Sequence, residues 1–257
     1  MKQLIVAALL LACPRGAWAQ FSRGEDIRTK PPERWAPVTK LGLDLRGGGS
    51  YLSGNVRQTG YFGGLEYIQK FASRHQFMLE GAEDYSKFND VKVMDKSRGS
   101  VLYAYSLASR WNAYAASTQG QNRFTRIRYR TTNGAGLCYH SFVPFLNPVL
   151  VSAAVTPEYE AFFGGGQRHT TRATGRLNFG VPVSEHASLN TDFWYLPSLT
   201  DFHNYRLYTE IYLQLKVTEE LLSFRVTWAD EYDSRPFPGI KPNDSSLNYT
   251  LVVHFGK

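Results

Sequence analysis

Six histidines, His75, His140, His169, His186, His203 and His254, are the side chains of this 257-residue chain best suited to proton transfer near neutral pH. The chemistry they could serve is acyl cleavage or transfer by Ser, His and an acidic or amide partner. His140 and Ser141 in "CYHSF" are the only adjacent His and Ser, but neighbours on a strand point to opposite faces, which disfavours a shared site. His75 and His186 stand in short polar stretches, "SRHQ" and "SEHA", and read as solvated turn residues. His169 in "GGGQRHTTR" and His203 in "TDFHNY" could meet at one rim of a fold, although no ordered Ser or Asp partner is visible beside them. His254 stands near the end of the last apolar stretch. No two histidines have metal-ligand spacing and Cys138 is a lone cysteine, so no metal is expected. "FFGGGQ" lacks the Lys-Ser/Thr ending of a phosphate loop, and no cofactor is expected.

The elements that must position these residues begin after a leader. "MKQLIVAALLLACPRGAWAQ" has a basic Lys2, an apolar run from Leu4 to Ala12 and a small-x-small site at Ala17-Trp18-Ala19, the pattern of a cleavable export signal over residues 1–19. The competing reading is lipidation at Cys13 in "LLAC". Cleavage before Gln20 leaves Cys138 as the one cysteine and no intramolecular disulfide. Residues 20–40 carry three prolines and mixed charge, and are expected to be a flexible periplasmic lead-in. Residues 41–257 form one domain. Aromatic residues make up 14% of the chain while mean hydropathy is only −0.34, too polar for a bundle of membrane helices. An exported, aromatic-rich, half-polar chain is what a transmembrane β-barrel looks like, since only one face of each strand meets lipid. A soluble periplasmic β-sandwich is the alternative.

Alternation supports the barrel. In "YRLYTEIYLQLKV", Tyr205, Leu207, Ile211, Leu213, Leu215 and Val217 share one face, and Arg206, Glu210, Gln214 and Lys216 the other. Short turns recur around Ser73, Ser109, Ser184 and Glu219, spaced by 36, 75 and 35 residues, with "VPFLNPV" (residues 143–149) near the middle of the long interval. Between them lie polar connections, "SGNVRQ", "NDVKVMDK", "GQNRFTRIR", "FFGGGQRH", "TDFHN" and "DSRPFPGIKPND", read as longer loops. Five turns and six loops join twelve strands. The expected fold is therefore all-β, an up-and-down antiparallel transmembrane barrel of about twelve strands, with ten as the fallback if a pair near Ala113 or Val151 is absent. Short turns would be periplasmic and longer loops external.

A barrel assigns the charges. Glu66, Glu80, Asp84, Arg98, Glu158, Arg172, Arg176, Asp192, Arg206, Glu210, Arg225 and Glu231 fall on inward positions as candidate lumen residues. Bulky Trp194, Tyr208 and Tyr212 on the same face favour a narrow or closed bore. Arg123, Arg126 and Arg128 in "NRFTRIRYR", with Arg168 further on, are candidate contacts for the phosphates of lipopolysaccharide. A net charge of +7 in an exported chain fits such a contact or a solvated basic surface with no partner, not nucleic acid. In "SLNYTLVVHF", Leu247, Tyr249, Leu251, Val253 and Phe255 form the lipid face of a closing strand that the barrel-assembly machinery would engage.

"YLPSLTDFHNYRLYTE" (Tyr195 to Glu210), "EYDSRPFPGIKPNDSSLNYTLVVHF" and "LRGGGSYLSGNVRQTGYFGGLEY" together resemble the domain-of-unknown-function 481 family, the salt-induced outer-membrane proteins. "YDSRPFPG" is the most specific piece. The resemblance implies an outer-membrane barrel and carries no catalytic residue or ligand. The combined expectation is an envelope barrel with a structural or stress-related role, or a narrow channel. A lipid-modifying lipase or acyltransferase is the alternative.

Overall fold

The computed structural model describes residues 41–52, 58–71, 74–123, 125–141, 146, 149–218 and 221–255; the leader, the lead-in, Cys13 and the turn residues Ser73 and Glu219 lie outside them. Twelve strands fill that span: β1 (Leu41–Leu52), β2 (Gln58–Phe71), β3 (His75–Phe88), β4 (Val91–Ser106), β5 (Trp111–Asn122), β6 (Ile127–Ser141), β7 (Val149–Phe162), β8 (Gln167–Ser184), β9 (Ala187–Pro197), β10 (Tyr205–Lys216), β11 (Leu222–Asp233) and β12 (Asn243–Phe255). Each pairs antiparallel with its neighbours in sequence, and β12 pairs with β1 to close the barrel. Closure gives every strand two partners, the condition for backbone amides to lie in hydrocarbon. The regions around Ala113 and Val151 are full strands, so the count is twelve.

The connections are tighter than the sequence suggests. "NDVKVMDK" is not a loop: Asn89 and Asp90 alone make the turn, both at positive φ (46° and 63°), and Val91 to Lys96 belong to β4. Two consecutive left-handed residues give the hairpin turn whose twist matches the strands, and Asn and Asp tolerate that conformation. "FFGGGQRH" likewise shrinks to 163–166, where Gly164, Gly165 and Gly166 all take φ near +90°. "GQNRFTRIR" contracts to 123–126 between β5 and β6. The proline-rich stretch remains the longest, 234–242.

The two faces are inverted relative to a water-soluble protein. Leu45, Leu65, Val101, Leu137, Val155, Phe193, Trp228, Leu247 and Leu251 are exposed on the outside, in alternation with buried neighbours. The inside holds Asp44, Arg46, Asp84, Lys96, Arg130, Glu158, Glu160, Arg172, Arg176, Asp192, Arg206 and Arg225, all buried. Apolar residues also enter the bore. Met78, Leu102, Ala104, Tyr114, Ala116, Cys138, Leu150 and Ala154 pack together along β3–β7. Trp194, Leu196, Tyr208 and Ala229 form a second cluster on β9–β11.

Candidate functional site

At the end of the barrel away from the termini, side chains of β6, β7, β8, β10 and β11 converge on two glutamates. Glu160 accepts from Arg130 Nε (2.7 Å), Arg168 Nε (2.5 Å) and Arg206 Nη2 (3.0 Å). Glu158 accepts from Arg206 Nη1 (2.7 Å) and Arg172 Nε (3.3 Å), while Arg206 Nε reaches Asp233 Oδ2 (2.8 Å). Arg172 completes its shell with the carbonyls of Leu196 and Asn204. Because β7 and β10 are not neighbours in the sheet, the Arg206 contacts reach over β8 and β9 inside the barrel. Arg206 and Glu160, at the centre of this lattice, are at most 1% exposed. Lower down, Arg176 grips Asp192 with two hydrogen bonds and lies 4.7 Å over the Trp194 ring. Glu210 accepts from the Tyr208 hydroxyl (2.6 Å).

The opposite wall carries its own pairs. Arg46 holds Glu66 (2.6 Å), Arg98 holds Glu80 (2.6 Å), and Lys96 stands 4.0 Å from Asp84. Arg225 donates to Gln214 and stacks 4.1 Å over Tyr212, and Glu231 stands opposite Tyr208 and Asp244 in the register. All twelve inward candidates sit on the interior face. Arg98–Glu80, Arg172–Glu158, Arg206–Glu158 and Arg176–Asp192 pair within the set, while Arg46, Lys96, Glu160 and Asp233, which the sequence did not single out, pair with Glu66, Asp84 and Arg206. Of the four surface arginines, Arg123 is exposed and shares Asp95 (3.5 Å), Arg126 is exposed at φ 59° over the Phe237 ring, and Arg128 is exposed at a bulge. Arg168, expected beside them, turns to Glu160 instead.

The histidines separate cleanly. His169 stacks on Tyr159 on the outer face, and His203 is almost fully exposed beside Asp201. No contact joins the two among the described residues, so the rim site imagined from the sequence is not assembled. His75 meets the Tyr103 hydroxyl at 2.6 Å, and His140 lies inside, 3.4 Å from Cys138.

His254 is different. Its Nδ1 is 2.9 Å from Asp44 Oδ1 and its Nε2 is 2.7 Å from Ser223 Oγ. An ionised carboxylate can only accept, so Asp44 places the proton on Nδ1 and leaves Nε2 to accept from the Ser223 hydroxyl. Gln214 Nε2 also donates to Ser223 Oγ (3.2 Å). Sequence reasoning missed this arrangement because Asp44 and His254 are 210 positions apart and meet only through the β1–β12 pairing. A usable signal was the matched inward parity of the three residues, once closure is assumed.

No group of three or more His, Cys, Asp or Glu able to hold a metal exists among the described residues. A small cavity of about 10 Å³, room for about one water, is lined by Phe62, Asp84, Arg225, Thr227, Asn248 and Thr250.

A family profile described as "Protein of unknown function, DUF481" matches residues 46–255. The chain belongs to that family. No curated protein matches it in sequence. Among solved structures, the NanC porin shares 13% identity at a TM-score of 0.50, over 83% of this chain and 98% of the porin. This likeness concerns the fold alone: this DUF481 chain has the architecture of a twelve-stranded porin. Weaker likenesses are the KdgM porin in complex with disordered oligogalacturonate (12% identity, TM-score 0.44, 83% and 98% covered) and the translocator domain of the autotransporter NalP from Neisseria meningitidis (11%, 0.42, 84% and 86%).

Proposed function

We propose that the protein is an integral barrel of the bacterial outer membrane whose bore is held shut. Its role is then structural support of the envelope, with conduction limited to a narrow path that opens when the interior ion pairs are disrupted. The inverted faces support the membrane reading, because a row of exposed Leu, Val and Phe around a charged interior is stable only with lipid outside. The observation that carries the closed bore is the arginine–glutamate lattice spanning from β7 to β10, with the apolar cluster along β3–β7 beneath it.

The partner of the outer rim is proposed to be lipopolysaccharide. Tyr129, Tyr159 and His169 stack in a row on the outer face, with ring centroids 6.3 and 4.8 Å apart, at the level where aromatic girdles meet headgroups. Arg126 and Arg128, both exposed next to Tyr129 in the chain, would meet the lipopolysaccharide phosphates. The test of the closed bore is single-channel recording of refolded protein in a planar bilayer, with folding verified by heat-modifiable gel mobility. Folded protein is expected to be silent at moderate salt. Discrete large steps under those conditions would show an open pore and sink the proposal.

A further inference from the structure

Asp44, His254 and Ser223 are arranged as an acyl-transfer relay, and the site lies at the barrel's closing seam. Two observations beyond the relay itself bear on it. The first is a spare donor. Arg225, the next inward residue after Ser223 on β11, is buried, and its Nε has no hydrogen-bond partner. A buried guanidinium N–H without an acceptor is costly in a resting fold and useful where negative charge develops. Arg225 also lines the small cavity, together with Thr250, the inward neighbour of Val252, which pairs with Ser223.

The second is a way in. Among the described residues, β1 and β12 pair from Leu43↔Phe255 to Gly47↔Leu251, while β1 continues to pair with β2 as far as Leu52↔Gln58. The β1–β12 seam is therefore zipped at the terminal end and unzipped beyond Gly47. The cause is written in "RGGGS": successive glycines weaken a strand and pack no side chain across it. Phe62, whose ring would be 2.4 Å from a Cβ on Gly48, closes over the glycine from inside and forms one wall of the cavity. The unzipped seam lies beside this cavity, whose Arg225 is the next inward residue to the buried Ser223 on β11.

We infer that Ser223, His254 and Asp44 form a hydrolytic site for a membrane-borne carboxylic ester that enters sideways between β12 and β1. Ser223 Oγ attacks the ester carbonyl carbon while His254 Nε2 takes the Oγ proton. The carbonyl oxygen becomes an oxyanion stabilised by Arg225. Collapse breaks the carbon–oxygen bond to the alcohol, which leaves with the proton from His254. Water, deprotonated by the same nitrogen, then cleaves the acyl-serine and releases the fatty acid. Asp44 is a positioning residue that fixes the imidazole tautomer.

The inference rests on barrel closure in a membrane, which heat-modifiable mobility tests separately. Folded, membrane-embedded protein is treated with an alkyl fluorophosphonate, which serine nucleophiles displace at phosphorus with loss of fluoride, and the adduct is mapped by mass spectrometry. One adduct at Ser223 is expected, absent in Ser223→Ala and slowed at least ~10³-fold in His254→Gln. Asp44→Asn should slow labelling and change its pH profile, a readout that loss of a merely structural pair does not move. Cysteines at Leu45 and Val253 should cross-link readily, and cysteines at Gly49 and Tyr249, on the same face four residues along, at least ~10-fold more slowly until the seam closes. Forcing that second cross-link should block a long-chain probe and spare a short soluble one. Heat-modifiable protein that gives no Ser223 adduct overturns the catalytic assignment. Equal cross-linking at the two pairs overturns the lateral route.

Discussion

Glu160→Gln is the sharpest perturbation of the interior. The glutamate is fully buried and takes hydrogen bonds from Arg130, Arg168 and Arg206. Around it the lattice holds four arginines (Arg130, Arg168, Arg172, Arg206) against three carboxylates (Glu158, Glu160, Asp233). The glutamine keeps the shape and one acceptor oxygen but removes the charge, leaving four cations on two anions around a buried position. Deleting one partner of a buried pair costs about 3–5 kcal/mol, because the remaining charge stays desolvated. Three guanidiniums lose a partner here, so the upper half of that range is expected. The assay is equilibrium unfolding in urea of protein in lipid vesicles, followed by gel mobility and tryptophan fluorescence. Glu160→Gln/Arg130→Gln restores part of the balance and should recover a measurable share of the loss. In bilayers, Glu160→Gln alone should show conductance events absent from the parent. A variant within about 1 kcal/mol of the parent, still silent, would mean that the lattice neither stabilises nor closes the barrel.

Gly136→Ala should destabilise the barrel by about 1–3 kcal/mol by overpacking, since a Cβ there would stand 2.2 Å from the Ala153 carbonyl oxygen, and the same unfolding assay reads it. Asp201 joins two rim connections: it accepts from the His203 backbone N–H (3.0 Å) and pairs with Arg235 (2.6 Å). The His203 N–H, then Arg235, hold its carboxyl below the usual range despite some opposing desolvation. A carboxyl whose folded value is depressed contributes above its ordinary pKa and loses that contribution as pH falls through the folded value. Hydrogen exchange at 198–204 should therefore rise below the ordinary carboxylate range, and Asp201→Asn should remove that acid dependence. Arg126→Gln with Arg128→Gln should weaken retention by lipopolysaccharide vesicles in a salt-sensitive way, and leave folding unchanged; unaltered retention would remove these arginines from the lipid contact.

The twelve strands were legible because period-2 alternation survives almost unbroken from Leu41 to Phe255. The loop lengths were not, and β4 shows why. Val91 to Lys96 is polar enough to read as loop, yet an inward or rim-facing strand residue has no need to be apolar, and the two-residue Asn89-Asp90 turn leaves these residues paired with β3. Parity also told which charges face inward, since that follows from position along a strand. It could not tell which charges meet. Glu160 gathers arginines from β6, β8 and β10, and the last reaches over two intervening strands, a distance that depends on barrel diameter and strand stagger. Arg168 illustrates the limit: by composition it belongs with Arg123 and Arg126, but it points inward, where Glu160 outcompetes water for its guanidinium.

The same reasoning explains why the chemistry lies at the seam. Sequential strands lie close along the chain, and their side chains are matched across one ladder: Arg206 opposite Asp233, Arg130 opposite Glu160. Asp44 and His254 have no such closeness along the chain. They face each other only after the first and last strands have found their register, and the zipped stretch that brings them together spans just the five pairs Leu43↔Phe255 to Gly47↔Leu251. An ion pair or hydrogen bond there, completed by Ser223 from β11, adds polar specificity to a register that glycines leave weak on one side. A shift of β12 by one residue would turn His254 to the lipid and leave Asp44 without it, at a cost no apolar contact in the seam offsets. The relay thus fixes closure as well as holding a nucleophile. Ser223→Ala separates the two roles, because it removes the reacting oxygen and leaves the Asp44–His254 contact that sets the register.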